Sequence, residues 1–213
     1  MPNLLPVAAV VAICLFILKE TFELFRRSGE RQRKRAAIKE PLQHEVSENY
    51  CVLNNLFHAI DTTERDTIAP EERDTVVVQR SGRMCYERVD TDGSVVSGNS
   101  LPAARMTEFN RLLLSAAELD KKLYSEIRRG YEHVYQLEHL HHSFVDFLTG
   151  SDHDRELLSS FRQYASGYYD DIDKGLRQLY TLLAGRELHY KGLRRSPHRT
   201  EQTSRLNAND AKA

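Results

Sequence analysis

The chain has 213 residues, enough for one domain of ordinary size, and 40% of them are apolar, with ten Tyr and eight Phe to bury. Its formal charge of −1 hides a segregation: residues 1–39 carry 8 cations and 3 anions, residues 186–213 carry 7 and 3, and residues 40–185 hold 15 of the 30 cations and 25 of the 31 anions. An acidic body between basic ends argues against a nucleic-acid binder, which places its cations on the folded surface. Three widely separated cysteines, Cys14, Cys51 and Cys85, make neither a disulfide framework nor a CxxC metal pair.

The first element is an uncharged run of fifteen residues, Leu4 to Leu18. Helix over that run rises about 22 Å, short of the roughly 30 Å hydrocarbon layer, but continuing through Thr21, Phe22, Leu24 and Phe25 brings it to about 33 Å. Lys19 and Glu23 stand one turn apart and partly neutralise each other. No basic n-region precedes the run and no small-x-small site follows it, so a retained transmembrane anchor over 1–25 is expected rather than a cleaved signal. A basic flank follows in Arg26, Arg27, Arg31, Arg33, Lys34, Arg35 and Lys39, within a juxtamembrane linker at 26–40. The positive-inside rule then places the large domain in the cytosol, and the flank is also a candidate lipid-facing surface.

Residues 41–185 read as a cytosolic helical domain. After Pro41, the positions Val46, Tyr50, Leu53, Phe57 and Ile60 step by four and three and predict an amphipathic helix; residues 61–73 read as loop. From Thr75 to about Val96 the period changes. The β-branched run Thr75-Val76-Val77-Val78, the loose alternation from Met84 to Val89 and the turn Thr91-Asp92-Gly93 predict a small β hairpin or meander that needs a second layer to be stable.

From Pro102 a long helix is expected to run to Thr149-Gly150, with Ser100 as cap and Met106, Phe109, Leu113, Ala116, Leu123, Ile127, Tyr131 and Val134 on one face. Gly130 inside it marks a bend or close packing. A further helix, capped at Ser151 or Asp152, carries the seam Leu158, Phe161, Ala165, Tyr168, Ile172 and Leu179, with Gly175 as a gap. The two fold back as an antiparallel hairpin on which the Val46 to Ile60 helix packs. The fold class is thus mainly α, with a transmembrane helix, a helical bundle and a small β insertion. Residues 186–213 read as a disordered basic tail in which Ser196, before Pro197, is a candidate phosphorylation site.

Chemistry-bearing constellations are few. His139 and His142 are i,i+3, and Glu138 and His142 i,i+4, so one helix face presents three potential metal ligands, although the spacing is not HExxH and no second ligand set is evident. Asp170, Asp171 and Asp173 fall largely outside the seam and read as a solvated acidic face. No phosphate loop and no nucleophile elbow is present. No catalytic residue, cofactor or metal is therefore assigned.

The segments Ser47 to Leu53, Ala59-Ile60, Thr63-Glu64, Ser100-Leu101, Phe109-Asn110-Arg111-Leu112-Leu113-Leu114 and Gly130-Tyr131-Glu132 resemble the animal NICE-type single-pass membrane proteins. The resemblance implies a Golgi or mitochondrial membrane protein needed for phagocytosis, with no assigned active site. The expected function is a membrane-anchored adaptor or self-association module. Its expected partners are the membrane, other proteins through helical surfaces and a second copy of the chain, and nucleic acid is excluded. The alternative is a metal-dependent, membrane-tethered enzyme using His139 and His142.

Overall fold

The computed structural model describes residues 7–65, 73–150 and 155–189. Helix α1 spans Val7–Arg65, strands β1 Arg73–Val78, β2 Met84–Val89 and β3 Val95–Ser100 form one sheet, and α2 Thr107–Leu119, α3 Lys121–Thr149 and α4 Arg155–Ala184 follow. The chain is mainly helical, and the cap at Ser151 or Asp152, the candidate Ser196 and most of the basic tail lie outside the described residues.

The transmembrane anchor is not borne out: among the described residues no helix is long and apolar enough to cross a membrane. The apolar run ends at Leu18, and an 18-residue stretch begun at Val7 already takes in Lys19, Glu20 and Glu23. Charges at that depth cost several kcal/mol in hydrocarbon, by an estimate of about 3 for one at the centre. This removes the single-pass architecture, the cytosolic placement read from its basic flank, the Golgi or mitochondrial membrane placement that the resemblance implies, and the membrane-tethered readings of function.

α1 instead is one helix of 59 residues, about 88 Å long, running through the basic flank and through Pro41. Its two halves differ in surroundings. From Ile38 onward the apolar side chains Leu42, Val46, Leu53, Phe57 and Ile60 are fully buried, because their spacing of three and four lays them on one face.

α4 lies antiparallel to that half, and the contacts run in opposite order along the two helices. Lys39 Nζ donates to the Leu182 carbonyl (2.9 Å), Gln43 Nε2 to Tyr180 Oη (3.2 Å), and Tyr50 Oη to Asp173 Oδ1 (2.8 Å). Phe57 meets Tyr169 edge to face at 4.6 Å. α3 closes the bundle with Leu123, Ile127, Tyr131, Val134, Leu137, Leu140, Phe144 and Leu148 on its buried face. It pairs with α4 as an antiparallel hairpin, since Gly130 faces Leu179 while Phe144 stacks on Phe161.

The expected single helix from Pro102 is two. Residues 101–106 are not helical, and Ser100 ends β3 instead of capping a helix. The chain then breaks at Asp120, whose backbone is extended (φ −160°) and whose carboxylate accepts from the amides of Lys122 and Leu123. An aspartate in that geometry ends one helix and caps the next.

The sheet is an antiparallel meander in the order β1-β2-β3, with Val76 opposite Tyr86 and Tyr86 opposite Asn99. Its turns are set by Gly82 (φ 77°) and Gly93 (φ 83°), in the left-handed region that glycine enters freely. One face of the sheet buries Tyr86 and Arg88, which meets the need for a second layer.

Candidate functional site

Three polar clusters lock the body together. The first begins at Glu45 on α1, 3% exposed, whose carboxylate accepts the backbone N–H of Glu108 (2.7 Å) and Phe109 (3.0 Å) and the Tyr131 hydroxyl (2.6 Å). The Met106 N-cap of α2 offers no side-chain bond, so a residue on another helix supplies the acceptor and its charge at the positive end of α2. One turn on, Asn49 pairs with the backbone of Arg105 through both amide atoms at 2.7 Å, and Glu48 takes the Arg105 guanidinium. Burial and the Glu45 carboxylate together push the Tyr131 hydroxyl far above the usual phenol range.

The second cluster sits under the sheet. Arg88, 2% exposed, donates to Asp74 Oδ1 (2.8 Å) and to Tyr86 Oη (3.1 Å), and Tyr86 donates to Asp74 (2.8 Å). Burial pushes the Tyr86 hydroxyl up to about 12, with a Thr63 hydrogen bond opposing and Asp74 reinforcing the shift. In the third, Arg177 lies over the Tyr50 ring at 4.8 Å and donates to Asp173 (2.9 Å) and to the Tyr50 hydroxyl. Each cluster satisfies its charges internally, which suits holding elements in register.

The histidines separate. His141 is buried and its Nε2 lies 3.3 Å from the Leu101 carbonyl, whereas its Nδ1 has no hydrogen-bond partner among the described residues. Burial holds its pKa below the ordinary value. His142 and His139 are exposed, and His139 lines a groove of about 410 Å³ with Tyr135, Tyr164 and Tyr168. Among the described residues no group of three or more His, Cys, Asp and Glu could hold a metal, so the pair lacks a third ligand. His133 lines a second groove of about 480 Å³ where Gly130 and Gly175 bring α3 and α4 close.

Of the expected seam on α4, Ala165, Ile172 and Leu179 are buried and Phe161 is half-buried. Tyr168 turns out to the groove, Tyr169 is buried instead, and the Leu158 side chain lies outside the described residues. In the basic flank all of Arg26, Arg27, Arg31, Arg33, Lys34 and Arg35 are exposed. Arg27 pairs with Glu23, Arg26 with Glu23 and Glu30, and Arg35 reaches Asp120 at 2.6 Å.

Between Val10 and Phe25, α1 stands clear of the other described elements. Ten large apolar side chains between Val10 and Phe25 are 47–77% exposed. At about 100° per residue they do not ring the helix evenly. Val11, Leu15, Leu18, Phe22 and Phe25 make one seam, Val10, Ile13, Ile17 and Leu24 a second, and Lys19, Glu20, Glu23, Arg26 and Arg27 lie on the remaining side, where Phe16 also falls. The arm is uncharged on every side from Val7 to Leu18, and from Lys19 to Arg27 it carries charge on one side and apolar side chains on the other.

No family model, no curated protein and no solved structure matches the chain, and nothing in those comparisons bears on the NICE-type resemblance.

Proposed function

We propose that the chain is a non-enzymatic interaction protein: a helical body, fixed by buried polar clusters, that holds out the apolar arm of α1 for another protein to cover. The observation that carries this is the set of ten exposed apolar side chains on one projecting helix. Full burial of such a side chain contributes about 1.5–3 kcal/mol, so covering the exposed half of ten yields on the order of 10 kcal/mol. That is comparable to the 4–15 kcal/mol or so that association costs, so binding depends on the helix being pre-formed, which keeps the cost at the low end of that range. From Lys19 to Arg27 the charged side of the helix stays in water and directs the partner to the apolar side.

A photo-crosslinking amino acid at Leu15, in the full chain expressed in cells, tests the reading. Protein adducts are expected and are lost in the Leu18→Glu/Phe22→Glu variant. Adducts no more abundant than those from exposed Thr91 would overturn it.

A further inference from the structure

We infer that the free edge of β3 takes up an extended segment of another protein, paired antiparallel, with a basic residue placed opposite Gly98. The inference does not depend on what grips the arm of α1.

The pairing of β2 with β3 decides which way the main chain of β3 points. Leu101 N donates to the Met84 carbonyl (2.9 Å), and opposed residues in an antiparallel ladder alternate between bonded and non-bonded pairs, so Asn99 and Ser97 also bond to β2. Gly98 and Ser100 therefore aim their N–H and C=O groups away from the sheet. Both residues are exposed, and in Gly98 the exposed surface is main chain. Groups so placed are satisfied by water or by another extended backbone.

The opposite edge is closed. The Gln79 amide bonds the Arg83 carbonyl, so Val77 and Thr75 bond to β2 while Asp74 and Val76 aim outward. There Asp74 is buried against Arg88, and α3 packs beside the strand. β3 lacks the devices that guard an edge: Val95–Ser100 contains no charge and no proline, and Val95 and Val96 are more than half exposed. The bulge between Arg88 and Val89 lies beyond Ser97 and leaves Gly98 to Ser100 regular.

Charge selects the occupant. Glu87 stands directly opposite Gly98 on the open face of the sheet, and a Cβ at Gly98 would meet its Cγ at 3.3 Å. The glutamate side chain thus lies over the glycine, with no side chain between it and the edge. Among the described residues no cation pairs with it. In an added antiparallel strand the residue opposite Gly98 projects on that same face, so a Lys or Arg there reaches across the glycine to the Glu87 carboxylate. The residue two positions further toward the C-terminus of the added strand falls beside exposed Val96, which suits a β-branched side chain.

A second copy of this chain does not meet these terms. β3 has no cation to set against Glu87, and a strand of six residues, about 20 Å long, joins far less than the roughly 800 Å² per partner of a stable dimer.

A capped peptide of alternating Thr and Val about a central Lys, titrated into the full isotope-labelled chain, tests the inference. Amide shifts at Gly98 and Ser100 are expected, and binding should be about fivefold tighter than that of the peptide with Glu in place of the Lys. Glu87→Lys should reverse that order, a gain that an unfolded variant would not show. N-methylation of the central Lys amide removes one main-chain bond and blocks close approach, and should weaken binding at least about tenfold. Equal binding of the Lys and Glu peptides would overturn the assigned chemistry, and unmoved Gly98 and Ser100 amides at millimolar peptide would overturn the site. Shifts at those amides that grow with protein concentration alone would give the edge to a second copy and overturn the occupant.

Discussion

The imidazole of His133 occupies the place where a side chain at Gly175 would begin: a Cβ there would stand 2.1 Å from the ring. Three residues before His133 on the same helix, a Cβ on Gly130 would meet the Leu179 side chain at 2.7 Å. The two glycines set how closely α3 and α4 approach.

Alanine at either position therefore acts against helix propensity. Gly175→Ala and Gly130→Ala are expected to destabilise by about 1–3 kcal/mol through overpacking. Gly167→Ala, on the open side of α4 with nothing within 4 Å, should stabilise by about 1 kcal/mol. Urea midpoints of the three variants read both signs.

Glu45→Ala leaves two amides of α2 and the Tyr131 hydroxyl without an acceptor, and a loss of about 2–4 kcal/mol is expected. Tyr131→Phe removes only one donor and should cost about 1 kcal/mol. Hydrogen exchange should show the extra loss of Glu45→Ala in the first turn of α2, with α4 unaffected.

Breaking the pair under the sheet is expected to cost about 3–5 kcal/mol in Arg88→Met or Asp74→Leu alone, because each strands a buried charge. The double variant should recover a large part of that loss. The Tyr86 hydroxyl, raised from 10.0 to about 12, makes a contribution to stability that is complete below pH 10 and lost as pH rises through 12. Thermal melts at pH 9 and 11.5, with Tyr86→Phe as reference, measure it.

His141 acts at the acid end. Its folded pKa lies below 6.5, so the unfolded chain takes up the proton first, and stability falls as pH drops below 6.5 until the folded value is reached. The groups facing it are the Leu101 carbonyl, His142 and Glu138. His141→Gln should flatten the fall between pH 6.5 and 5, measured as the difference in urea midpoint from wild type.

Much of the body was readable from spacing. The Val46 to Ile60 stripe, the buried face of α3, the close packing at Gly130 and the glycine turn at Gly93 all follow from periodicity and turn chemistry. Pro41 misled, because it stands within α1 where a boundary was expected, and the flank at 26–40 is helix. On α4 the register slipped by one residue at Tyr168, since two adjacent tyrosines satisfy apolar periodicity equally and only packing against Phe57 selects Tyr169. The break at Asp120 carried a local signal, an aspartate before a helical run, that the longer apolar period concealed.

Glu45, Asn49 and Arg88 were not legible as core residues. Charged and amide side chains are ordinarily on the surface, and what buries these three is a partner 56 or more residues away in Glu45 and Asn49, or on the neighbouring strand in Arg88. The exposed arm was visible as an apolar run, and Lys19, Glu20 and Glu23 were the sign that the run is too short to span a bilayer.

Because α1 is unbroken from Val7 to Arg65, it works as a lever. Whatever grips the arm pulls on the same rod that carries Glu45, Asn49 and Tyr50, so load on the free end arrives at the root of α2 and along α4. Arg35 on Asp120 and Lys39 on the Leu182 carbonyl stand as guy-ropes just ahead of Pro41, where the helix lacks one amide and would bend first.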